Sequence, residues 1–183
     1  MKNKAYDFRA YAFTVGEEIV VDTNIWLYMF PAPKNSLDPF SIQYSNGFYR
    51  MKKEGAQPVL DPLILSEYLN RYCRIEWSAQ YRPLYPEFKS FRKSPDFKKT
   101  ASSAAFFARR INRLCQSHKT SANNLDINQA IDDFESGALD FNDALLTDIC
   151  KKNGFKLLTN DADFLSGGIE VLTTNPELLT ACP

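Results

Sequence analysis

Apolar positions in this chain fall into short unbroken runs and longer helical stripes, and the two alternate. Ile19-Val20-Val21 is too short for a helix and reads as a strand over about 18–21, buried on both faces. A helix is expected from Thr23 to about Phe30, where Pro31 and Pro33 end it by lacking an amide donor and crowding the preceding turn. A second helix runs from Asp38-Pro39 to about Glu54 and closes on Gly55. Pro58-Val59-Leu60 predicts another strand. Asp61-Pro62 then predicts an N-cap and first turn for a third helix, whose Leu65, Leu69 and Tyr72 share a face.

Proline at 83, 86 and 95 breaks up residues 81–95, after which a helix is expected over about 96–118. Its Ala104, Ala108, Ile111 and Cys115 turn inward, with Arg109, Arg110 and Arg113 mostly outside. A short helix follows near 128–136. Asp140 to Asn153 reads as a helix with Phe141, Leu145 and Ile149 on one stripe and Asn153-Gly154 as its C-cap. Phe155–Leu158 and Ile169–Leu172 read as strands around a helical turn at Asp161–Leu165. Strands alternating with helices imply crossover connections and hence parallel pairing. The expected fold class is α/β: a three-layer α/β/α sandwich with a short parallel sheet of four to five strands. Residues 1–17 read as an irregular lead-in. Residues 18–183 read as a single domain with a basic, aromatic helical elaboration at about 81–120.

Net charge is zero over 183 residues, but it is unevenly spread. Residues 82–120 hold ten Lys/Arg against two acids, and residues 125–183 hold three Lys against eleven acids. That division predicts an electropositive wall beside an electronegative site. Cys73, Cys115, Cys150 and Cys182 have neither disulfide-framework nor zinc spacing. With no apolar signal core and no stretch of membrane-spanning length, a cytoplasmic protein is expected.

The acids carry the candidate chemistry. Asp22 ends the first strand, and ligands of open parallel sheets bind outside strand carboxyl ends. Glu67 lies on the third helix, Asp140 and Asp143 open a later one, and Asp161 and Asp163 follow a strand. Each has an ordinary structural use: an N-cap, an i,i+4 pair of Glu67 with Arg71, a turn. Gathered in one crevice, however, carboxylates repel unless one is protonated or a cation lies among them. Oxygen donors without nearby His or Cys select Mg²⁺ or Mn²⁺ over Zn²⁺. Such a site suits phosphodiester hydrolysis. The single histidine, His118, lies in a basic stretch and gives an imidazole mechanism little support. An aspartyl-nucleophile phosphatase would want a second acid two residues after Asp22, where Asn24 stands.

Four runs together carry a family resemblance: Val-Val-Asp-Thr-Asn-Ile at Asp22, Leu-Ser-Glu-Tyr-Leu at Glu67, Asp-Phe-Asn-Asp-Ala-Leu-Leu at Asp143, and Leu-Leu-Thr-Asn-Asp-Ala-Asp-Phe. In this order they resemble the motifs of PIN-domain nucleases, which include VapC-type toxins. The resemblance implies that Asp22, Glu67 and Asp143 are metal-holding acids. The fourth is Asp161, nearer the strand end, with Asp163 as its substitute, while Asp140 and Thr159 add supporting hydrogen bonds. It also implies cleavage of RNA with Mg²⁺ or Mn²⁺, a small antitoxin protein as partner if the toxin role holds, and a homodimer. A catalytically silent PIN-like module that binds RNA or protein is the alternative reading. The basic stretch is expected to meet RNA phosphates through Arg82, Arg92, Lys93, Arg109, Arg110 and Arg113, with aromatic rings stacking on bases.

Overall fold

Among the residues described by the computed structural model (1–32, 39–118, 125–137 and 139–182), six strands pair in parallel in one sheet. In chain order they are β1 (Lys4–Asp7), β2 (Glu18–Val21), β3 (Gln57–Leu60), β4 (Gln116–Ser117), β5 (Lys156–Leu158) and β6 (Glu170–Thr173). Their spatial order is β1-β6-β5-β2-β3-β4. The helices are α1 (Thr23–Met29), α2 (Pro39–Lys53), α3 (Pro62–Glu76), α4 (Phe88–Arg92), α5 (Phe97–Leu114), α6 (Ile127–Glu135), α7 (Phe141–Asn153) and α8 (Pro176–Ala181), with a π-helical turn at Trp77–Tyr81. The architecture is the expected three-layer sandwich. No described helix is long and apolar enough to cross a membrane.

The central strands explain themselves. Ile19, Val20, Val21, Leu157, Leu158, Val171 and Leu172 are fully buried, as a parallel sheet covered on both faces requires. Asp61 caps α3 by accepting from the Leu63 N–H at 2.9 Å, and Gly154 ends α7 in the left-handed region at φ 71°. Both caps lie where the sequence placed them. All four cysteines are free.

The structure departs from expectation at the sheet edges, which hold two strands besides the four placed from the sequence. Residues 1–17 are not an irregular lead-in throughout, because Lys4–Asp7 pairs with β6 as an edge strand. The segment is anchored by Tyr6, whose hydroxyl donates to Glu170 at 2.6 Å, and by Arg50, which donates to the carbonyls of Phe8 and Tyr11. The helix expected to reach residue 118 stops at Leu114, where Cys115 turns extended and Gln116-Ser117 pairs with Val59-Leu60. No glycine or proline marks that end; ladder hydrogen bonds to β3 decide it. Asp161–Leu165 forms a non-helical turn, and α8 follows an Asn175 N-cap and Pro176 that the sequence reading passed over. Pro33, Asp38 and residues 119–120 of the basic stretch lie outside the described residues.

Phe8, 1% exposed, seals the edge strand onto α2, because a Cβ on Gly47 would run into its ring. Alanine inside a helix ordinarily gains about 0.5–1 kcal/mol over glycine. Here Gly47→Ala should instead lower the unfolding free energy by about 1–3 kcal/mol through overpacking. Urea denaturation checks this, and a stabilised variant would show that Phe8 does not dock there.

Candidate active site at the strand ends

The two central strands, β2 and β5, are neighbours, yet the chain leaves β2 toward β3 and β5 toward β6. A crevice forms at such a reversal, outside the carboxyl ends of the strands. Asp22 is the first residue past β2 and Thr159 the first past β5, so strand geometry alone brings them together.

Asp22 is buried and heavily hydrogen-bonded. Its Oδ2 accepts from the Thr159 hydroxyl at 2.7 Å and from the Asn24 side-chain amide at 2.6 Å. Its Oδ1 accepts from the Thr23 N–H at 2.5 Å. The fully buried Thr159 hydroxyl donates to Asp22 while accepting from Asn24 at 3.0 Å and from the Asp161 N–H at 3.1 Å. One hydroxyl thereby uses its single donor and both lone pairs. The Asn24 side-chain oxygen accepts from the Asn160 N–H at 3.2 Å, which carries the network into the loop after β5.

Three further acids, on α3 and at the start of α7, lie within electrostatic reach of this network. Glu67 stands half-buried in the second turn of α3 and pairs with Arg71 at 3.1 Å. Asp140 caps α7 by accepting from the Asn142 N–H at 3.0 Å, and Asp143 occupies the first turn behind it. Electrostatics shows that these groups act on one another. Burial pushes the Asp22 carboxyl up to about 6, the Thr159 hydrogen bond opposes that rise, and the charges of Glu67 and Asp161 add to it. Asp143 is pushed up to about 7, first by burial and then by Asp22, Asp161, Asp140 and Glu67.

A comparison with family sequence patterns matches the PIN domain over residues 19–168, a span that contains every one of these acids. The chain belongs to the PIN domain family. Two solved structures share the fold of this PIN-domain chain. One is VapBC2 from Rickettsia felis bound to a DNA fragment from its promoter, with TM-score 0.54 and 16% identity over 85% of this chain and 98% of that one. The other is VapC20 from Mycobacterium tuberculosis, a sarcin–ricin loop cleaving toxin, with TM-score 0.51 and 15% identity over 80% of this chain and 92% of that one. Curated protein sequences give no significant match.

Within the PIN domain, the two candidates for a fourth acid stand differently. Asp161 is half-buried and raises both Asp22 and Asp143. Asp163 is exposed, its N–H donates to Asp161 Oδ1 at 3.1 Å, and it is not among the chief neighbours of either carboxyl. Sequence reasoning overlooked Asn24 and Asn160 as positioning residues. The signal was present in the asparagine two places after Asp22, which was read only as the lack of a second acid.

Among the described residues, none of the six basic residues expected to meet RNA forms an ion pair with these acids. Arg82, Arg92 and Lys93 lie beyond the end of α3, whose last residue is about 13 Å along the axis from Glu67. Arg82 lies over the Trp77 ring at 5.8 Å. Phe91, one of the aromatic rings of the basic stretch, is fully buried and packs on Tyr81 at 4.6 Å. Tyr81, Tyr85, Phe88 and Phe97 pack around Phe91 as a small core instead of an open stacking surface.

Among the described residues no three His, Cys, Asp or Glu side chains form a preformed metal cage. The donor chemistry nonetheless fits a hard divalent cation: the converging groups are all carboxylates, one is pinned by three donors, and their charges repel. The same repulsion sets a pH dependence. A carboxyl that holds its proton more tightly folded than unfolded contributes stability below its unfolded pKa of about 4. That contribution is lost as pH rises through the folded value, here about 7 for Asp143. In EDTA, wild-type thermal stability should therefore fall more steeply between about pH 4 and 7 than that of Asp143→Asn. Parallel profiles would mean that Asp143 does not feel its neighbours.

Proposed function

We propose that this PIN-domain chain is a divalent-metal-dependent endoribonuclease. The observation that carries this reading is that Asp22, Glu67, Asp143 and Asp161, from four separate segments, stand near enough to one another for their charges to raise the carboxyls of Asp22 and Asp143 beside the ends of β2 and β5. Asp22, Glu67 and Asp143 would hold Mg²⁺ or Mn²⁺, with Asp161 completing the set. When bound, the ion supplies Lewis-acid chemistry toward water and the phosphoryl oxygens. Thr159 and Asn24 orient the Asp22 carboxylate, so that it presents a fixed lone-pair direction to the crevice. Asp140 adds negative charge beside Asp143 and anchors the first turn of α7.

RNA as substrate is supported by the likeness to a toxin that cleaves the sarcin–ricin loop. The likeness to a VapBC assembly supports a toxin role with a small antitoxin protein as partner. Wild type should cleave single-stranded RNA in Mg²⁺ or Mn²⁺ and stop in EDTA. Asp143→Asn should lose at least about a hundredfold in rate, the order seen when a charge-stabilising group is removed. Denaturing gels of end-labelled RNA read the outcome. Cleavage that survives either EDTA or the substitution sinks the assignment, and no cleavage under any condition favours the silent RNA-binding reading.

A further inference from the structure

α5 has a composition that the proposed cleavage chemistry does not use. Its 18 residues include Lys98, Lys99, Arg109, Arg110 and Arg113, and no acid. With about 3.6 residues per turn, buried Thr100, Ala104, Ala108 and Ile111 define an inner face. Lys99, Phe106, Arg110 and Arg113 fall on the opposite side, and all four are exposed. Phe106 is 61% exposed in the middle of this row. Among the described residues none of the five cations makes an ion pair. From Lys98 to Arg113 the row spans about 22 Å. Lys52, whose Nζ donates to the Leu114 carbonyl at 3.3 Å, extends it past the helix end.

We propose that this face of α5 is a docking ridge for RNA, separate from the acidic crevice; its role as a substrate anchor rests on the nuclease reading. Unpaired cations in a row raise the local positive potential and gain by releasing the counterions of the phosphates they meet. A single exposed aromatic ring between them offers one stacking platform for an unpaired base. An amphipathic protein helix would want apolar anchors at i, i+3 or i+4 and i+7; here the positions so spaced are Lys99, Ser102, Phe106, Arg109 and Arg113, three cations and a hydroxyl with one ring. The ridge also refines the expected RNA contacts. Arg109 and Arg113 belong to it, whereas Arg82 is occupied by Trp77 and Arg110 partly by Phe30 at 5.2 Å. Beside the ridge lies a cleft of about 790 Å³ lined by residues that include Phe30, Phe48, Tyr49, Phe107 and Leu114. An acidic amphipathic peptide is the competing occupant for that neighbourhood.

The test uses full-length Asp143→Asn in EDTA, so that binding is read without cleavage. Fluorescence anisotropy follows a labelled single-stranded RNA 20-mer across a salt series, with labelled polyglutamate as the acidic-polypeptide probe. Adding Lys99→Gln, Arg109→Gln and Arg113→Gln should weaken RNA binding at least tenfold and reduce the log–log salt slope by about two, as three lost phosphate contacts require. Phe106→Ala should weaken it by about fivefold or more with the slope unchanged. Removing three charges elsewhere, by Lys2→Gln, Lys4→Gln and Lys151→Gln, should leave affinity and slope near those of the parent. Equal affinity and slope in the ridge variant overturn the proposal, as does a ridge effect on polyglutamate but not on RNA. If ridge-dependent RNA binding persists while wild type cleaves no RNA in Mg²⁺, the ridge stands and the nuclease reading falls. If the ridge variant in an otherwise wild-type chain cuts a long RNA as fast as wild type, the anchor role falls and the nuclease reading stands.

Discussion

The hydrogen bond from Thr159 to Asp22 joins the ends of the two central strands, and the crevice is organised around it. It crosses the place where the chain reverses its direction of travel across the sheet. Because the same hydroxyl also accepts from Asn24 and from the Asp161 amide, it fixes the loop after β5 against the start of α1. A buried carboxylate needs such donors, since an unsatisfied charge in a low-dielectric interior is costly. The donors oppose burial at Asp22 without cancelling it, and its carboxyl remains raised to about 6. Charge held in this way is a constraint on the fold, and it is also the resource the proposed chemistry draws on.

The repulsion has a structural counterpart in the covered parallel sheet. The buried carboxyl-terminal residues of β2 and β5, Val20-Val21 and Leu157-Leu158, fix where the strand ends emerge, and Asp22 and Thr159 inherit that placement. Glu67 and Asp143 arrive on helices whose first turns are set by aspartate caps, Asp61 for α3 and Asp140 for α7. Caps of this kind fix where a helix begins, and so where its second-turn or first-turn side chain points. Membership of the PIN domain family is consistent with this arrangement, since the matched span runs from the first buried strand to the loop before β6.

Opposite charge is kept apart along the molecule. The acids cluster at the strand ends, while α5 carries five cations and no acid on a helix packed against α3. Arg71, one turn beyond Glu67, pairs with it at 3.1 Å. Separation of this kind lets a polyanion be attracted to one surface and meet the acidic crevice at another without the two fields cancelling.

Local chemistry made much of the protein legible in its sequence. The apolar run Ile19-Val20-Val21, the caps at Asp61 and Asp140, and the glycine after Asn153 each act through neighbours within a few residues, and each was readable for that reason. The acids were legible as candidates because each followed an element end. The edges of the sheet were not legible, since β1 and β4 form by ladder hydrogen bonds to strands more than 50 residues away. That the Thr159 hydroxyl joins Asn24 on one oxygen of the Asp22 carboxylate depends on a contact across 137 residues. The burial of Phe91 in an aromatic cluster was likewise tertiary. Sequence pattern determined which segments could be strands, helices and caps, because those are short-range properties of the backbone. Only the folded chain decided which charges meet, because Coulomb interaction depends on distance in space and not on separation along the chain.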